Sequence, residues 1–121
     1  MSKKILIVED DEAICRNLQE LLELDGYTVD KAFHGREALD RLKASPVLPS
    51  LIILDLMMPV MDGFEFRKEQ ELDPRFSKIP VVVITAGGNI ESKTMKIGAR
   101  AFLRKPFDID NVLKTVKRFA S

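Results

Sequence analysis

Carboxylates follow two short apolar segments of this chain. Glu9, Asp10 and Asp11 come directly after segment 5–8, and Asp55 comes directly after segment 51–54. Short apolar segments bounded by charge fit strands buried on both faces, so we expect each carboxylate at the carboxyl end of a strand. Clustered carboxylates must protonate or bind a cation, and an all-oxygen set suits a hard ion such as Mg²⁺. The acidic residues therefore predict a divalent metal site.

Two further polar side chains follow apolar segments later in the chain. Thr85 comes after segment 81–84, and Lys105 comes soon after segment 101–103. If a carboxylate attacks a phosphoryl donor, charge spreads over three equatorial oxygens in the transition state. A metal ion, the Lys105 ammonium, and the Thr85 hydroxyl with nearby backbone N–H groups would each stabilise one oxygen. These residue types are sufficient for the transfer of a phosphoryl group from a donor to a carboxylate.

Apolar patterning predicts five strand and helix units that would bring these residues together. The predicted strands are 5–8, 28–32, 51–54, 81–84 and 101–103. The predicted helices are one that ends near 25–26, one that ends before Pro46, one over about 64–72, a short one over about 91–97, and one capped by Asp108. Such alternation predicts a parallel sheet covered on both faces, with the polar groups gathered at its carboxyl edge.

Length and charge exclude several classes of protein. The chain has 121 residues, the usual size of a single domain, and its 19 Lys and Arg residues balance 19 Asp and Glu residues. No overall positive charge would draw it to nucleic acid or to an anionic membrane. The single cysteine, Cys15, cannot form an internal disulfide, and neither a signal peptide nor a membrane-spanning apolar segment is visible. We expect a cytoplasmic protein without direct nucleic-acid contact or membrane insertion.

Four segments together resemble the motifs of the receiver domains of two-component response regulators. They are segments 5–11, 55–63, 82–86 and 102–107, which occur in the family's order and at its spacing. The resemblance covers essentially the whole chain. It implies a flavodoxin-like (βα)5 fold, with a five-stranded parallel sheet in the order 2-1-3-4-5 and helices on both faces. It also implies one receiver domain over 1–121 without an output domain, as in the stand-alone chemotaxis type; a receiver fragment of a larger regulator or hybrid kinase would look the same.

The resemblance implies a role for each acidic residue. Asp55 would accept a phosphoryl group from a phosphohistidine on a sensor histidine kinase or a histidine phosphotransfer protein. Asp10, Asp55 and the backbone carbonyl of Met57 would ligate Mg²⁺, with Mn²⁺ as an alternative ion, and Glu9 would act through a bound water. Asp11 is the weaker candidate for a ligand.

The resemblance also implies a switch. Lys105 would pair with the phosphoryl group, and the Lys105–Pro106 peptide bond would be cis. Thr85 would move toward the phosphoryl oxygen and Phe102 would turn inward behind it, changing the surface of helix 4, strand 5 and helix 5. That surface would bind an unknown downstream protein, allow onward phosphotransfer, or form a phosphorylation-dependent dimer of an otherwise monomeric chain. The domain would be no enzyme beyond promoting its own phosphorylation and dephosphorylation.

In similar receivers, the side chains two positions beyond the acceptor and beyond the threonine tune loss of the phosphoryl group. Here these are Met57 and Gly87, and neither can orient a water through its side chain. The resemblance therefore predicts slower self-dephosphorylation than in a variant carrying Met57→Asn with Gly87→Glu.

Other interpretations of the same residues stay open. The fold could serve a phosphorylation-independent interaction module, or, more remotely, a flavodoxin-like cofactor binder, although the acidic segment 9–11 would repel phosphate. Cys15 fits a packed apolar residue and His34 a solvated one without a role. The basic residues of the last helix fit either a solvated face or a partner contact; they are Lys114, Lys117 and Arg118.

Overall fold

The structure, a computed structural model, describes residues 3–120. Five parallel strands form one sheet in the order β2-β1-β3-β4-β5, which confirms the predicted order. The strands are β1 (Lys4–Val8), β2 (Thr28–Ala32), β3 (Leu51–Asp55), β4 (Val81–Thr85) and β5 (Ala101–Arg104). The central strands β3 and β4 are buried along their whole length, as their unbroken apolar sequences predict.

Five helices cover the two faces of the sheet. They are α1 (Glu12–Leu24), α2 (Gly35–Ala44), α3 (Gly63–Leu72), α4 (Ile90–Lys96) and α5 (Ile109–Phe119). One apolar core joins the sheet to α2 and α3, through residues such as Leu39 and Phe66. A second core joins the other face to α1 and α5, through residues such as Leu18 and Val112. Within residues 3–120, no helix is both long and apolar enough to cross a membrane.

The strand register places the functional ends of the strands level with one another. Val8 pairs with Leu54, Asp55 pairs with Ile84, and Thr85 pairs with Arg104. Asp55 and Thr85 are the last residues of their strands, so β3 and β4 each end one position later than the apolar segments predict. Their backbones are therefore fixed by sheet hydrogen bonds rather than by a loop.

Side-chain caps set where the helices begin. Asp11 caps α1, Asp62 forms a capping box with Glu65 at the start of α3, and Asp108 caps α5 as predicted. His34, for which the sequence predicts no catalytic role, has a structural one that was not predicted: its Nδ1 accepts a hydrogen bond of 3.2 Å from the Glu37 N–H and caps α2. A ring nitrogen acceptor at this position replaces the usual hydroxyl or carboxylate.

Two residues of α3 tie the helix to its surroundings. The buried Gln70 Nε2 donates to the carbonyl oxygens of Phe76 at 2.9 Å and Ile79 at 3.1 Å. Arg67 Nη1 donates to Gln70 Oε1 at 3.0 Å, and Arg67 Nε donates to the Ile97 carbonyl at the end of α4 at 2.8 Å. These bonds satisfy carbonyl groups that helix ends and turns leave free, and they hold α3 in place behind β3.

Cys15 is buried in α1, as predicted for a packed apolar residue. Burial raises the pKa of its thiol to about 11. At neutral pH the side chain is therefore a neutral thiol rather than a nucleophilic thiolate.

Candidate functional site

Three carboxylates meet at the carboxyl edge of the sheet. Oxygen atoms of Glu9, Asp10 and Asp55 all lie within 4.8 Å of one another. Glu9 is fully buried and Asp55 is 3% exposed, whereas Asp10 is exposed. The cluster is therefore enclosed by protein around Glu9 and Asp55 and open to solvent at Asp10. An all-carboxylate set with an open side suits a hard divalent cation that keeps part of its water shell.

The backbone positions Glu9 within this cluster. Its N–H donates to the Ala32 carbonyl at 3.0 Å, which extends the pairing of β1 with β2 by one residue. Its Oε2 accepts a hydrogen bond of 3.0 Å from the Asp11 N–H. The Glu9 carboxylate is therefore held toward Asp55 and away from solvent.

Lys105 joins two of the carboxylates. Its Nζ lies 2.5 Å from Glu9 Oε1 and 3.3 Å from Asp55 Oδ2. The contact with Glu9 is an ion pair without hydrogen-bond geometry at Oε1. Burial alone would lower the pKa of Lys105, but the two carboxylates outweigh burial and raise it above its ordinary value. Lys105 is therefore a fixed positive charge beside the Asp55 carboxylate.

The backbone after β5 places Lys105 beside the Asp55 carboxylate. Its N–H donates to the Thr85 carbonyl at 3.0 Å, which continues the pairing of β4 with β5 beyond their last residues. The Lys105–Pro106 peptide bond is cis, the isomer that the resemblance implies.

Asp55 is held by groups on two sides. Its Oδ1 accepts a hydrogen bond of 3.2 Å from the Met57 N–H, and its Oδ2 faces Lys105. Behind it, the Gly63 N–H donates to the Leu56 carbonyl at 3.1 Å and brings the start of α3 against the backbone at the end of β3. A Cβ atom at Gly63 would lie 2.5 Å from the Asp55 carbonyl oxygen. Only glycine fits there, so α3 fixes the Asp55 backbone by close packing.

The structure places Thr85 and Phe102 on neighbouring strands. Thr85 is 4% exposed at the end of β4, and Phe102 of β5 pairs with Val83, two residues before Thr85. Phe102 is half-buried and packs against the core beneath α2 and α3. Its side chain therefore lies partly in the core and partly at the surface.

The structure keeps Asp11 apart from the carboxylate cluster. Its Oδ1 accepts hydrogen bonds from the N–H groups of Ala13 at 3.0 Å and Ile14 at 3.1 Å, which is the pattern of a helix cap. Met57 contributes its amide to Asp55, while its side chain is 67% exposed. Gly87 lies in the loop after β4, where an added Cβ would meet only Lys93 Nζ, at 3.9 Å.

Sequence reasoning missed the packing that surrounds the β3–α3 loop. A Cβ at Gly35 would lie 2.8 Å from the Met61 carbonyl oxygen, so α2 presses on this loop as α3 does through Gly63. Val60, at the tip of the loop, has a φ of 66°, which is rare for a β-branched residue. The sequence feature that could have indicated this packing is the glycine that directly follows each of the capping residues His34 and Asp62.

The electrostatics of Glu9 predict a pH-dependent stability. Burial raises the pKa of Glu9 from 4.5 to about 7. The nearby Asp55 carboxylate also raises this pKa, whereas Lys105 and the Asp11 N–H lower it. The folded state then holds a proton that the unfolded state releases, so this stabilisation is full below about pH 4.5 and is lost as pH rises through about 7. In metal-free protein, we expect Glu9→Gln to gain stability relative to the parent between acidic and mildly alkaline pH, by about 3 kcal/mol at most.

Urea unfolding at several pH values in the presence of a chelator measures this effect. The matched control is Glu20→Gln, at an exposed acid of α1. Stability profiles of Glu9→Gln and the parent that run parallel across the pH range would contradict the shifted Glu9 pKa.

Comparison with known proteins bears on this geometry. The sequence model for the response regulator receiver domain matches residues 5–117. The chain is 39% identical over 116 residues to the DNA-binding dual master transcriptional regulator RpaA of Synechocystis sp., which covers 94% of this chain and 47% of that protein. It is 38% identical over 123 residues to the transcriptional regulatory protein CrdR of Helicobacter pylori, which covers 98% of this chain and 55% of that protein. The chain spans about half the length of these curated relatives.

Solved structures share the fold. A response regulator from Chloroflexus aurantiacus matches with a TM-score of 0.90 at 31% identity, covering 99% of this chain and 98% of that chain. The chemotaxis response regulator CheY4 of Vibrio cholerae matches with a TM-score of 0.88 at 34% identity, covering 98% and 99%. Both likenesses cover nearly the whole chain and therefore extend over all five strands.

Proposed function

Because this chain belongs to the response regulator receiver domain family, we propose that it is a phosphorylation switch whose phosphoacceptor is Asp55. A receiver domain is a signalling element of two-component systems and not a conventional enzyme. The observation that carries the proposal is the environment of the Asp55 carboxylate. One oxygen accepts the Met57 N–H and the other faces Lys105, beside the carboxylates of Glu9 and Asp10.

The proposed donor is a phosphohistidine on a sensor histidine kinase or a histidine phosphotransfer protein. In the transfer, an Asp55 oxygen forms a bond to phosphorus while the bond from phosphorus to the histidine nitrogen breaks. The Lys105 ammonium lies where it would stabilise the charge on the transferred group, and the Thr85 hydroxyl at the end of β4 would bind a second phosphoryl oxygen. The proposed location is the cytoplasm, where such donors are formed with ATP.

The carboxylate cluster fits a resident Mg²⁺, with Mn²⁺ as an alternative. Asp10, Asp55 and the Met57 carbonyl are the proposed direct ligands, and the buried Glu9 would act through a water. Asp11 is the weaker candidate, because it caps α1 and lies outside the cluster. When bound, the cation would offset the negative charge that the phosphoryl group adds to this acidic site.

The proposed output is a change in the surface of α4, β5 and α5. Phosphorylated Asp55 would draw the Thr85 hydroxyl inward, and Phe102 on the adjacent strand would follow into the space behind it. A downstream protein, a second phosphotransfer protein or a second copy of the domain would read the change. The chain would then be a monomer until it is phosphorylated.

Intact-mass spectrometry after incubation with acetyl phosphate and Mg²⁺ tests the proposal. The parent protein should gain one phosphoryl group, and Asp55→Asn should gain none. The matched control is Asp40→Asn, at an exposed aspartate of α2, which should be modified like the parent. A parent that stays unmodified would favour a phosphorylation-independent interaction module, and equal modification of Asp55→Asn would assign the acceptor elsewhere.

We also expect slow loss of the phosphoryl group from the parent. The Met57 side chain is largely exposed and Gly87 has open space around it, so neither side chain orients a water toward Asp55. The double variant Met57→Asn with Gly87→Glu should lose the group several-fold faster, measured by intact mass after removal of the donor. The paired control is Met57→Leu with Gly88→Glu, because Gly88 also lies in open space. Equal or faster loss from the parent would show that water enters freely past Gly87.

A further inference from the structure

The amino-terminal end of α4 has few attachments to the rest of the protein. Asn89, which precedes the helix, has a φ of 58°, and its side chain caps no backbone N–H group. The loop that leads to it, residues 86–89, is exposed, and a Cβ at Gly88 would meet no atom within 4 Å. Within the described residues, Ile90 is buried but belongs to neither of the two apolar cores. This end of α4 is therefore weakly held.

The carboxyl-terminal end of α4 is closed and packed. The Gly98 N–H donates to the Met95 carbonyl at 3.1 Å. The Ala99 N–H donates to the Thr94 carbonyl, also at 3.1 Å. With Gly98 at a φ of 69°, these two bonds form a Schellman motif, a common way for a glycine to end a helix. Ile97, the capping residue, is buried in the core beneath α2 and α3.

Arg67 of α3 binds the carbonyl groups that this motif leaves free. Its Nε donates to the Ile97 carbonyl at 2.8 Å, and its Nη2 donates to the Gly98 carbonyl at 3.4 Å. One guanidinium serves two successive carbonyl groups because its N–H donors form a planar fork. Its positive charge also lies at the negative end of the α4 dipole, where a cation is stabilising. Hydrogen bonds and charge therefore both bind the end of α4 to α3.

The Arg67 side chain is itself fixed in place. Its Nη1 donates to Gln70 Oε1 at 3.0 Å, and its Nε lies 3.1 Å from Glu71 Oε1. Gln70 is fully buried and donates to two carbonyl groups in the turn before β4. The Arg67 side chain is only 13% exposed. Because α3 also packs closely against the end of β3 through Gly63, the guanidinium projects from a rigid base.

We propose that Arg67 is a positioning residue that anchors the carboxyl-terminal end of α4 to α3, so that α4 pivots about residues 97–98 and does not shift as a whole. The helix has seven residues, and the buried Thr94 hydroxyl donates to the Ile90 carbonyl at 2.7 Å within it. This bond braces the helix, which would therefore swing as one body.

The proposed phosphorylation would act on the opposite end of α4. Loop 86–89 directly follows β4 and leads to the weakly held end of the helix. A rearrangement of this loop on phosphorylation of Asp55 would move the first turn of α4, while Arg67 keeps the last turn in place. In this respect the inference rests on the proposed function. The anchor itself needs no phosphoryl group.

Hydrogen exchange of untreated protein, followed for each amide by NMR, tests the anchor. The amides of residues 97–99 should exchange more slowly than those of Lys93 and Thr94, which reverses the usual fraying at the end of a helix. Arg67→Met should speed exchange at 97–99 by roughly tenfold relative to the amides of β3, which report global unfolding. Unchanged relative exchange in Arg67→Met would overturn the proposal.

Two further variants separate the anchor from a general effect of charge on α3. Lys68→Met removes the neighbouring positive charge, which is exposed, and should exchange like the parent. Arg67→Lys keeps the charge but lacks the planar fork, so it should restore only part of the protection at 97–99. Exchange at 97–99 that is accelerated equally in Lys68→Met and Arg67→Met would overturn the anchor.

Chemical-shift changes on treatment with acetyl phosphate and Mg²⁺ test the pivot. In the parent, the amides of residues 86–92 should shift several-fold more than those of 97–99, and in Arg67→Met the changes should extend to 97–99. Equal changes at both ends of α4 in the parent would overturn the pivot. Intact mass of the same samples reports the phosphoryl group. A parent that gains none contradicts the proposed function, and the exchange data from untreated protein then decide the anchor.

Discussion

Gly63→Ala is expected to destabilise the fold by about 3 kcal/mol and to slow phosphorylation of Asp55. An added Cβ would lie 2.5 Å from the Asp55 carbonyl oxygen and 2.8 Å from the Leu56 Cα. Both are backbone atoms at the end of β3 and cannot move aside as a flexible side chain can. Either α3 must shift outward or Asp55 must move relative to Lys105, so stability and reactivity should fall together.

Urea unfolding and the rate of modification by acetyl phosphate measure the two effects of Gly63→Ala. Gly88→Ala is the matched control, because a Cβ there would meet no atom within 4 Å. Both glycines lie at the carboxyl edge of the sheet, so the comparison isolates the steric contact. Equal stability of Gly63→Ala and the parent would contradict the close packing of α3 against Asp55.

Lys105→Met should slow phosphorylation by acetyl phosphate on the order of a hundredfold, because it removes a preorganised charge beside the reacting carboxylate. It also leaves the buried Glu9 without the ammonium that lies 2.5 Å from its Oε1. Since Glu9 can take up a proton, the loss of stability should be small at acidic pH and grow above about pH 7. The rate at saturating Mg²⁺ and urea unfolding at two pH values measure these effects.

Arg104→Met is the matched control for Lys105→Met, because Arg104 is the preceding residue and its side chain is exposed. It should leave both the rate and the pH profile close to those of the parent. Lys105→Met protein that is phosphorylated at the parental rate would remove Lys105 from the proposed reaction.

The apolar patterning of the sequence predicted the parallel sheet, and the family resemblance implied its strand order. Segments such as 51–54 and 81–84 are apolar throughout, and only strands buried on both faces require that pattern. Parallel pairing then places Asp55, Thr85 and Lys105 at one edge, because every strand ends there. The convergence of the site residues is thus a consequence of topology.

Side-chain partners could not be predicted in the same way. That Lys105 pairs with Glu9 as well as Asp55 depends on side-chain length and on burial, neither of which has a periodic signal. The close approach of Gly63 to Asp55 depends on the angle at which α3 enters the core. From the sequence, Gln70 is expected to be an exposed polar residue of a charged helix. In the structure it is fully buried and donates hydrogen bonds to two carbonyl groups.

The exposed basic residues around α5 show the same limit at the surface. Lys114 and Arg118 are visible in the sequence as a basic helix face, but Lys78 and Arg100 belong to turns before two different strands. Only the pairing of β4 with β5 brings those turns together beside α5.

The most direct test of the central claim is chemical mapping of the phosphorylated residue. Protein treated with acetyl phosphate and Mg²⁺ is reduced with borohydride, which converts an aspartyl phosphate to homoserine, and is then digested and sequenced by mass spectrometry. We predict homoserine at position 55, dependent on the phosphoryl donor and lost in Asp55→Asn. Homoserine at Asp10 or another position, or none in protein that has gained a phosphoryl group, would contradict Asp55 as the acceptor.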